Sequence, residues 1–384
     1  MQPAERSLID QADRAAGAGD LAGARELLKR AGEGGGSEAV WLRLAAVERA
    51  AGRPRAALVA VDRALAFTPR DFAALLLRAS LLQRLDDPQA GEAWGHALAQ
   101  QPAGELPPQF APVLAEARER HAAWLSEREM RLAASMTAVE QSATPDERDR
   151  IARFRSNVLR KTRPYHSEPT HYHFPALPER EFHPRSLFPW LDRLEAATDV
   201  IAEELKAVMM SERAELVPYI QYDDHLPMDQ WKPLNRNRNW TAIHLLDRGR
   251  PVSANVEHCP RSMALLSGLP QPQVPGASPN AMFSLLAPNT AIPPHVGVSN
   301  TRLVCHLPLI VPEGCWFRVG AETRYWQRGQ AFVFDDTIEH EALNPTDQLR
   351  VVFIFDVWAP ELTAAEREAV TALMAADGQG PGGL

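Results

Sequence analysis

The sequence predicts a multidomain α + β protein in which an α-helical solenoid precedes a double-stranded β-helix, the jelly-roll arrangement of two facing sheets. Three observations carry this. Small and large apolar residues recur with a period of about 33 through the N-terminal region. Prolines and aromatics crowd together in "RPYHSEPTHYHFPALPEREFHPRSLFPW", where the composition changes. Beyond residue 235, short runs rich in Val, Ile, Phe and Trp alternate with Gly, Pro, Asn and Asp.

The repeat is clearest in "WLRLAAVERAAGRPRAALVAVDRALAFTP", which places Trp41, Leu44, Ala45, Ala57, Val61, Ala64 and Pro69 in the order large, Leu, small, Ala, large, Ala, Pro. One period on stand Ala74, Leu77, Ala90, Trp94, Ala97 and Pro102, and one period back Leu8, Ala12, Ala24, Leu28 and Ala31. Small residues let paired helices approach, large ones fill the groove to the next pair, and "AGDLAGA", "AGRPRAA" and "LDDPQAG" supply the turns. Residues 1–104 therefore resemble about three tetratricopeptide repeats, an array that binds proteins or peptides and does no chemistry.

Residues 105–165 stay helical and highly charged without the repeat, and read as a connector. A second domain spans 166–363. It opens with one amphipathic helix, "LFPWLDRLEAATDVIAEELKAVMM", and continues through the strands "WTAIHLL", "AMFSLLAP", "TRLVCHLPLIV", "CWFRVGAETRYW", "QAFVFDD" and "LRVVFIFDVW". Residues 364–384 read as a last helix and a frayed tail.

The formal charge of -8, from 49 acidic and 41 basic residues, and the lack of any long Lys/Arg run argue against nucleic acid as a partner. No stretch is apolar and long enough for a membrane span, and the N-terminus lacks the apolar core of a secretory signal, so a soluble cytoplasmic protein is expected. Cys259, Cys305 and Cys315 are odd in number without a CxxC pattern, which fits reduced, partly buried thiols.

The candidate chemistry lies in the strand-rich half. Two neutral imidazoles with open coordination positions suit a non-haem ferrous centre, and His295 and His340 stand where two adjacent strand ends of a jelly roll would bring them together. Either histidine alone could be an exposed loop residue, His340 lying in the loop-like "FDDTIEHEALN". Arg350 alternates with apolar residues on the following strand, which puts a cation inside or beside an apolar barrel, unless that strand is an edge. A buried guanidinium calls for a carboxylate, and a dicarboxylate cosubstrate would supply one.

"SLLAPNTAIPPHVGVSNTRLVCHLPLIVP", "FRVGAETRYWQRGQAFVFDDTIEHEALN" and "LRVVFIFDVWAPELT" resemble the aspartyl/asparaginyl beta-hydroxylase family over roughly residues 165–363. That resemblance implies a dioxygenase dependent on Fe(II) and 2-oxoglutarate. It implies an iron held by His295 and His340 alone, with Gly297 where most relatives of the wider class carry a carboxylate, and a water in its place that Asp336 could hydrogen-bond. A halide could take the same gap, as in related halogenases, but the flanking motifs do not resemble those enzymes.

The resemblance further implies that Ser284, Arg350 and His306 contact 2-oxoglutarate. Arg302, Val304 and His306 share one strand face, and the family's middle arginine is replaced here by Val304. Arg302 keeps charge there for a carboxylate of substrate or cosubstrate. Arg236, Arg238 and Trp240 are either a solvated basic turn or substrate contacts, and Glu322, Thr323 and Arg324 suggest a hairpin with a surface ion pair. The implied substrate is an aspartyl or asparaginyl residue of a protein or peptide, or a small carboxylate, with a possible protein partner on the repeats. The alternative is a non-catalytic tetratricopeptide adaptor whose barrel binds a metal or small acid.

Overall fold

The computed structural model describes residues 3–33, 35–104, 106–211, 216–221, 232 and 235–377. The frayed tail expected after the last helix lies outside them. The chain divides into two compact units, Met1–Thr144 and Pro145–Leu384.

The first unit is a stack of helical hairpins: α1 (Pro3–Gly17) with α2 (Leu21–Gly32), α3 (Glu38–Ala50) with α4 (Pro54–Leu65), and α5 (Phe72–Arg84) with α6 (Ala90–Leu98). Their ends follow local chemistry. The Asp20 carboxylate accepts from Gly23 N at 2.8 Å, Pro54 occupies the first turn of α4, and Asp71 accepts from Ala74 N at 2.6 Å. The recurring small residues, Ala12, Ala24, Ala45, Ala57, Ala64, Ala74, Ala90 and Ala97, are all buried, as are Leu28, Val61 and Trp94 between them. The solenoid expected from the repeat is thus realised at the positions that define it.

The long helix α7 (Ala111–Ser142) packs along α6 through two glycines one turn apart, Gly91 and Gly95. A Cβ at Gly91 would overlap the Trp124 indole, and one at Gly95 would overlap the His121 ring, whose Nδ1 lies 2.9 Å from Gly91 O. Gly91→Ala is therefore expected to destabilise this unit by about 1–3 kcal/mol, because overpacking outweighs the roughly 1 kcal/mol that alanine gains in helix propensity. Urea denaturation of the variant measures it; an unchanged midpoint would contradict the packing.

The second unit begins with α8 (Pro145–Val158). The single amphipathic helix expected over 187–210 is in fact two, α9 (Leu191–Ala196) and α10 (Thr198–Met210). They part at Ala197, and the Thr198 hydroxyl donates to Glu195 O at 2.6 Å across the break. Among the described residues no helix is long and apolar enough to cross a membrane.

Among the described residues eleven strands follow: β1 (Leu216–Pro218), β2 (Trp240–Asp247), β3 (Arg250–Pro251), β4 (Ala281–Leu286), β5 (Thr290–His295), β6 (Arg302–Ile310), β7 (Trp316–Val319), β8 (Glu322–Tyr325), β9 (Phe332–Phe334), β10 (His340–Asn344) and β11 (Arg350–Trp358). Among the described residues they form an antiparallel sheet in the order β1-β2-β4-β11-β6-β9, with β3 beside β2, and a second sheet in the order β5-β10-β7-β8. This is the two-sheet architecture predicted from the strand pattern. His340 is the first residue of β10 and not a loop residue, because the turn that precedes it ends at the register pair His340↔His295.

Period-two alternation sorts the large sheet into two faces. Leu303, Cys305, Leu307, Phe353 and Phe355 join Leu194, Ile201 and Leu205 of α9 and α10 in one core. Val304, Val352, Ile354, Ala242 and Met282 join Phe317, Val319, Ile292 and Ala342 of the small sheet in the other. β6 and β11 are covered on both faces, so their polar inner residues, Arg302, His306 and Arg350, are enclosed as well. Asp356 does not join them at the cavity: its carboxylate accepts from Asn280 N and Ser278 Oγ, each at 2.9 Å. All three cysteines are free and buried, more deeply than expected. In the β7–β8 hairpin Arg324 pairs with Glu322 at 2.6 Å, the ion pair expected there.

His183 is buried against the edge of the Phe188 ring, and neither ring nitrogen has a protein partner. Burial, aided by Arg180, holds its pKa down at about 4. In the unfolded chain the ring protonates near 6.5, so stability present above that pH is lost as pH falls from about 6.5 to about 4. His183→Leu removes this dependence. Its stability relative to the parent is expected to rise by up to about 3 kcal/mol across that window, measurable by chemical denaturation at several pH values, and a pH-independent difference would refute the assignment.

Candidate active site

The inner face of the large sheet and the small sheet enclose a cavity of about 690 Å³ counted to its mouth. Six of the seven residues singled out from the sequence line it, namely Ser284, His295, His306, Asp336, His340 and Arg350, and Arg302 reaches it through Asp336.

His295 closes β5 and His340 opens β10; their direct pairing sets the ring centroids 4.0 Å apart. The chain folds each ring back on its own backbone. His295 Nδ1 lies 2.7 Å from Pro293 O, and His340 Nδ1 lies 3.1 Å from Ile338 O. A carbonyl can only accept, so both rings donate from Nδ1 and carry their lone pair on Nε2. Burial depresses both pKa values, that of His340 to about 4 and that of His295 well below the usual range with further help from His340. Two neutral, fixed imidazoles at this separation could hold one metal ion.

Gly297 answers to Asp336. A Cβ at position 297 would run into the Asp336 carboxyl group, which occupies the space a side chain there would fill. The carboxylate near the histidine pair thus comes from the turn before β10. Asp336 Oδ2 accepts from Arg302 Nη2 at 3.2 Å, while Oδ1 is buried without a partner. Burial raises the Asp336 pKa and Arg302 opposes that shift. Gly297→Ala is expected to displace Asp336 and weaken metal binding by roughly 10–100-fold with little loss of fold, the scale of losing a group that orients a metal site. Metal titration alongside a melting curve separates the two effects.

Arg350 is 2% exposed and among the described residues has no carboxylate partner. Its Nη1 donates to Ser284 O at 3.1 Å, its Cζ stands 4.8 Å from the Trp326 ring centroid, and its Nε is unpartnered. Burial lowers its pKa to about 10. Ser284 Oγ accepts from Trp240 Nε1 at 3.1 Å, and Trp240 stacks on Tyr219 with centroids 3.9 Å apart. His306 packs between Phe334 and Phe317, at 4.7 and 4.9 Å, with Nδ1 unpartnered and its pKa pushed well below the usual range, by burial first and then by Arg350.

Of the three residues left open before β2, Trp240 lines the cavity, whereas Arg236 and Arg238 do not. Sequence reasoning missed Tyr219, Phe317, Trp326 and Phe334 as cavity walls. Strand alternation was the available signal for Phe317 on β7 and Phe334 on β9, whereas Tyr219 and Trp326 follow the ends of β1 and β8 and carried none.

Orphaned polar atoms at Arg350, His306 and Asp336, beside two imidazoles with Nε2 lone pairs, fit a metal ion and an anionic ligand. Among the described residues no cluster of three ligating side chains exists.

Residues 195–360 match the family model described as aspartyl/asparaginyl beta-hydroxylase. This segment belongs to the aspartyl/asparaginyl beta-hydroxylase family. The hydroxylase-family segment is similar to human aspartate beta-hydroxylase domain-containing protein 2, 38% identical over 139 residues, which are 35% of this chain and 38% of that protein. Human aspartyl/asparaginyl beta-hydroxylase is 35% identical over 150 residues, 38% of this chain and 19% of that one. The ornithine lipid ester-linked acyl 2-hydroxylase of Rhizobium tropici is 34% identical over 176 residues, 45% of this chain and 58% of that one. The chain thus spans less than two thirds of each of these relatives. The family resemblance read from the strand motifs holds.

Proposed function

We propose that this protein is an Fe(II)- and 2-oxoglutarate-dependent dioxygenase that hydroxylates an unactivated carbon of an aspartyl- or asparaginyl-type or related substrate, the compounds for which its relatives are named. The observation that carries the proposal is the cavity itself, lined both by two imidazoles with centroids 4.0 Å apart and by a buried arginine that has no carboxylate partner among the described residues.

In this reading His295 and His340 hold the iron through Nε2, each oriented by its Nδ1–H bond to a backbone carbonyl. The metal, when bound, would supply the oxidative chemistry, in which 2-oxoglutarate and dioxygen become succinate and carbon dioxide, one oxygen atom entering succinate and the other the hydroxyl group of the substrate. Arg350 receives the distal carboxylate of 2-oxoglutarate and fixes its direction, with Ser284 Oγ beside it and Trp326 against the guanidinium face. His306 donates from its unpartnered Nδ1 toward the same ligand. Asp336, held in place by Arg302, would accept from a water beside the two histidines. The aromatic wall excludes bulk water, so these few polar groups act in a low dielectric.

The helical repeats supply a surface for a protein partner or protein substrate, and a cytoplasmic site of action is consistent with the reduced, buried thiols.

The test is direct. Purified protein is supplied with ferrous iron and 2-oxoglutarate, and succinate formation, oxygen uptake and the visible charge-transfer band of the iron–2-oxoglutarate pair are followed, with His295→Ala as control. Succinate or the band from the parent alone is the expected result. Absence of both would overturn the proposal in favour of an adaptor role.

A further inference from the structure

We propose that the part of the substrate entering this cavity is an uncharged, aliphatic chain and not one ending in a carboxylate, which selects a related substrate over the aspartyl and asparaginyl ones; this rests on the dioxygenase reading, in which Arg350 is committed to the cosubstrate.

Charge in the cavity leads to this. Among the described residues its lining holds one cation, Arg350, and one acid, Asp336. Of the three imidazoles, His295 and His340 each donate from Nδ1 to a backbone carbonyl and face the metal in this reading, and His306 packs between Phe317 and Phe334. Arg302 is the other nearby cation, but it is tied to Asp336 and does not line the cavity. With Arg350 and the metal both engaged by 2-oxoglutarate, a substrate carboxylate would lose its hydration, meet no further cation among the described lining residues and face Asp336.

The walls point the same way. Between Arg302 and His306 on β6, the side chain presented to the cavity is Val304, 3% exposed and opposite Phe334 in the strand register. Ile292, Val298, Ala342 and Ile354 continue the surface. Such a wall rewards methylene groups through area removed from water and gives an anion no hydrogen bond. An aliphatic side chain of a peptide and a fatty acyl chain offer the same chemistry, and the probes below tell them apart.

The experiment uses the full-length protein under anaerobic conditions with ferrous iron and 2-oxoglutarate. Octanamide is compared with octanoate, and blocked tripeptides carrying leucine, asparagine or aspartate at the centre are compared with one another. Binding is read from the shift of the charge-transfer band and from quenching of tryptophan fluorescence, Trp240 and Trp326 being cavity walls. Octanamide is expected to bind at least tenfold more tightly than octanoate, and the leucyl peptide at least tenfold more tightly than the aspartyl one. Whichever of octanamide and the leucyl peptide binds better identifies the source of the chain. Val304→Arg is expected to raise affinity for the anionic probes at least tenfold, with the thermal midpoint as a check of fold; should that variant not fold, the comparison in the parent protein still decides.

Anionic probes that bind as well as their neutral partners, an asparaginyl peptide that outbinds both aliphatic probes, or neutral probes that fail to bind at millimolar concentration would each overturn the inference while a charge-transfer band leaves the dioxygenase reading intact. Absence of the band overturns both, because Arg350 is then free for a substrate carboxylate.

Discussion

His340→Ala is expected to abolish ferrous-iron binding and succinate formation together, lowering metal affinity by roughly a thousandfold or more. The reason is the sparseness of the site. His295 and His340 are the two protein groups assigned to the metal, and Gly297 provides no third, so removing one imidazole leaves a single protein bond to the ion. His340 is also packed against Phe317 and Phe334, with centroids at 5.8 and 5.6 Å, and its truncation leaves a void worth about 1–3 kcal/mol of stability. The two effects separate in one preparation: circular dichroism and a thermal melt report the fold, and anaerobic calorimetric titration with ferrous iron reports the site. A folded variant that keeps parental iron affinity would refute the assignment of His340.

Arg350→Met is expected to weaken 2-oxoglutarate binding at least a hundredfold while leaving the thermal midpoint unchanged or raised. Loss of the guanidinium removes the charge-assisted bonds that the distal carboxylate would receive, the stronger kind of hydrogen bond in a dry site. Stability moves the other way because Arg350 is buried with no carboxylate partner among the described residues, and this burial lowers its pKa to about 10. Methionine fills much of the same volume and relieves that desolvation. A cation that destabilises the empty protein and is satisfied by a ligand is a mark of a binding site in general. Equilibrium dialysis with 2-oxoglutarate and a melting curve test both halves; a variant that melts far below the parent would assign Arg350 a structural role instead.

The histidine pair and Arg350 were legible in the sequence for different reasons. Arg350 stands out because it interrupts a strand of otherwise apolar residues, and a charge there has to be explained wherever the strand lies. His295 and His340 were legible only through the motifs around them, since neither histidine alone differs from an exposed one. The break at Ala197 was not legible: alanine favours helix, and the chain parts there through a Thr198 hydroxyl bond and packing on the large sheet.

By itself the sequence determined the repeat of small residues that makes the first unit a stack of hairpins, the strand alternation that makes the second a pair of sheets, and the placement of Arg302, His306 and Arg350 on strands. These are local matters, governed by periodicity and side-chain size. The tertiary structure alone decided that the Asp336 carboxyl group fills the space beside Gly297, that Arg302 is neutralised there while Arg350 is not, and that Tyr219 and Trp326 from distant segments wall the same cavity. Charge pairing and enclosure depend on which strands become neighbours, and strand order is set by closure of the whole domain and by no segment within it.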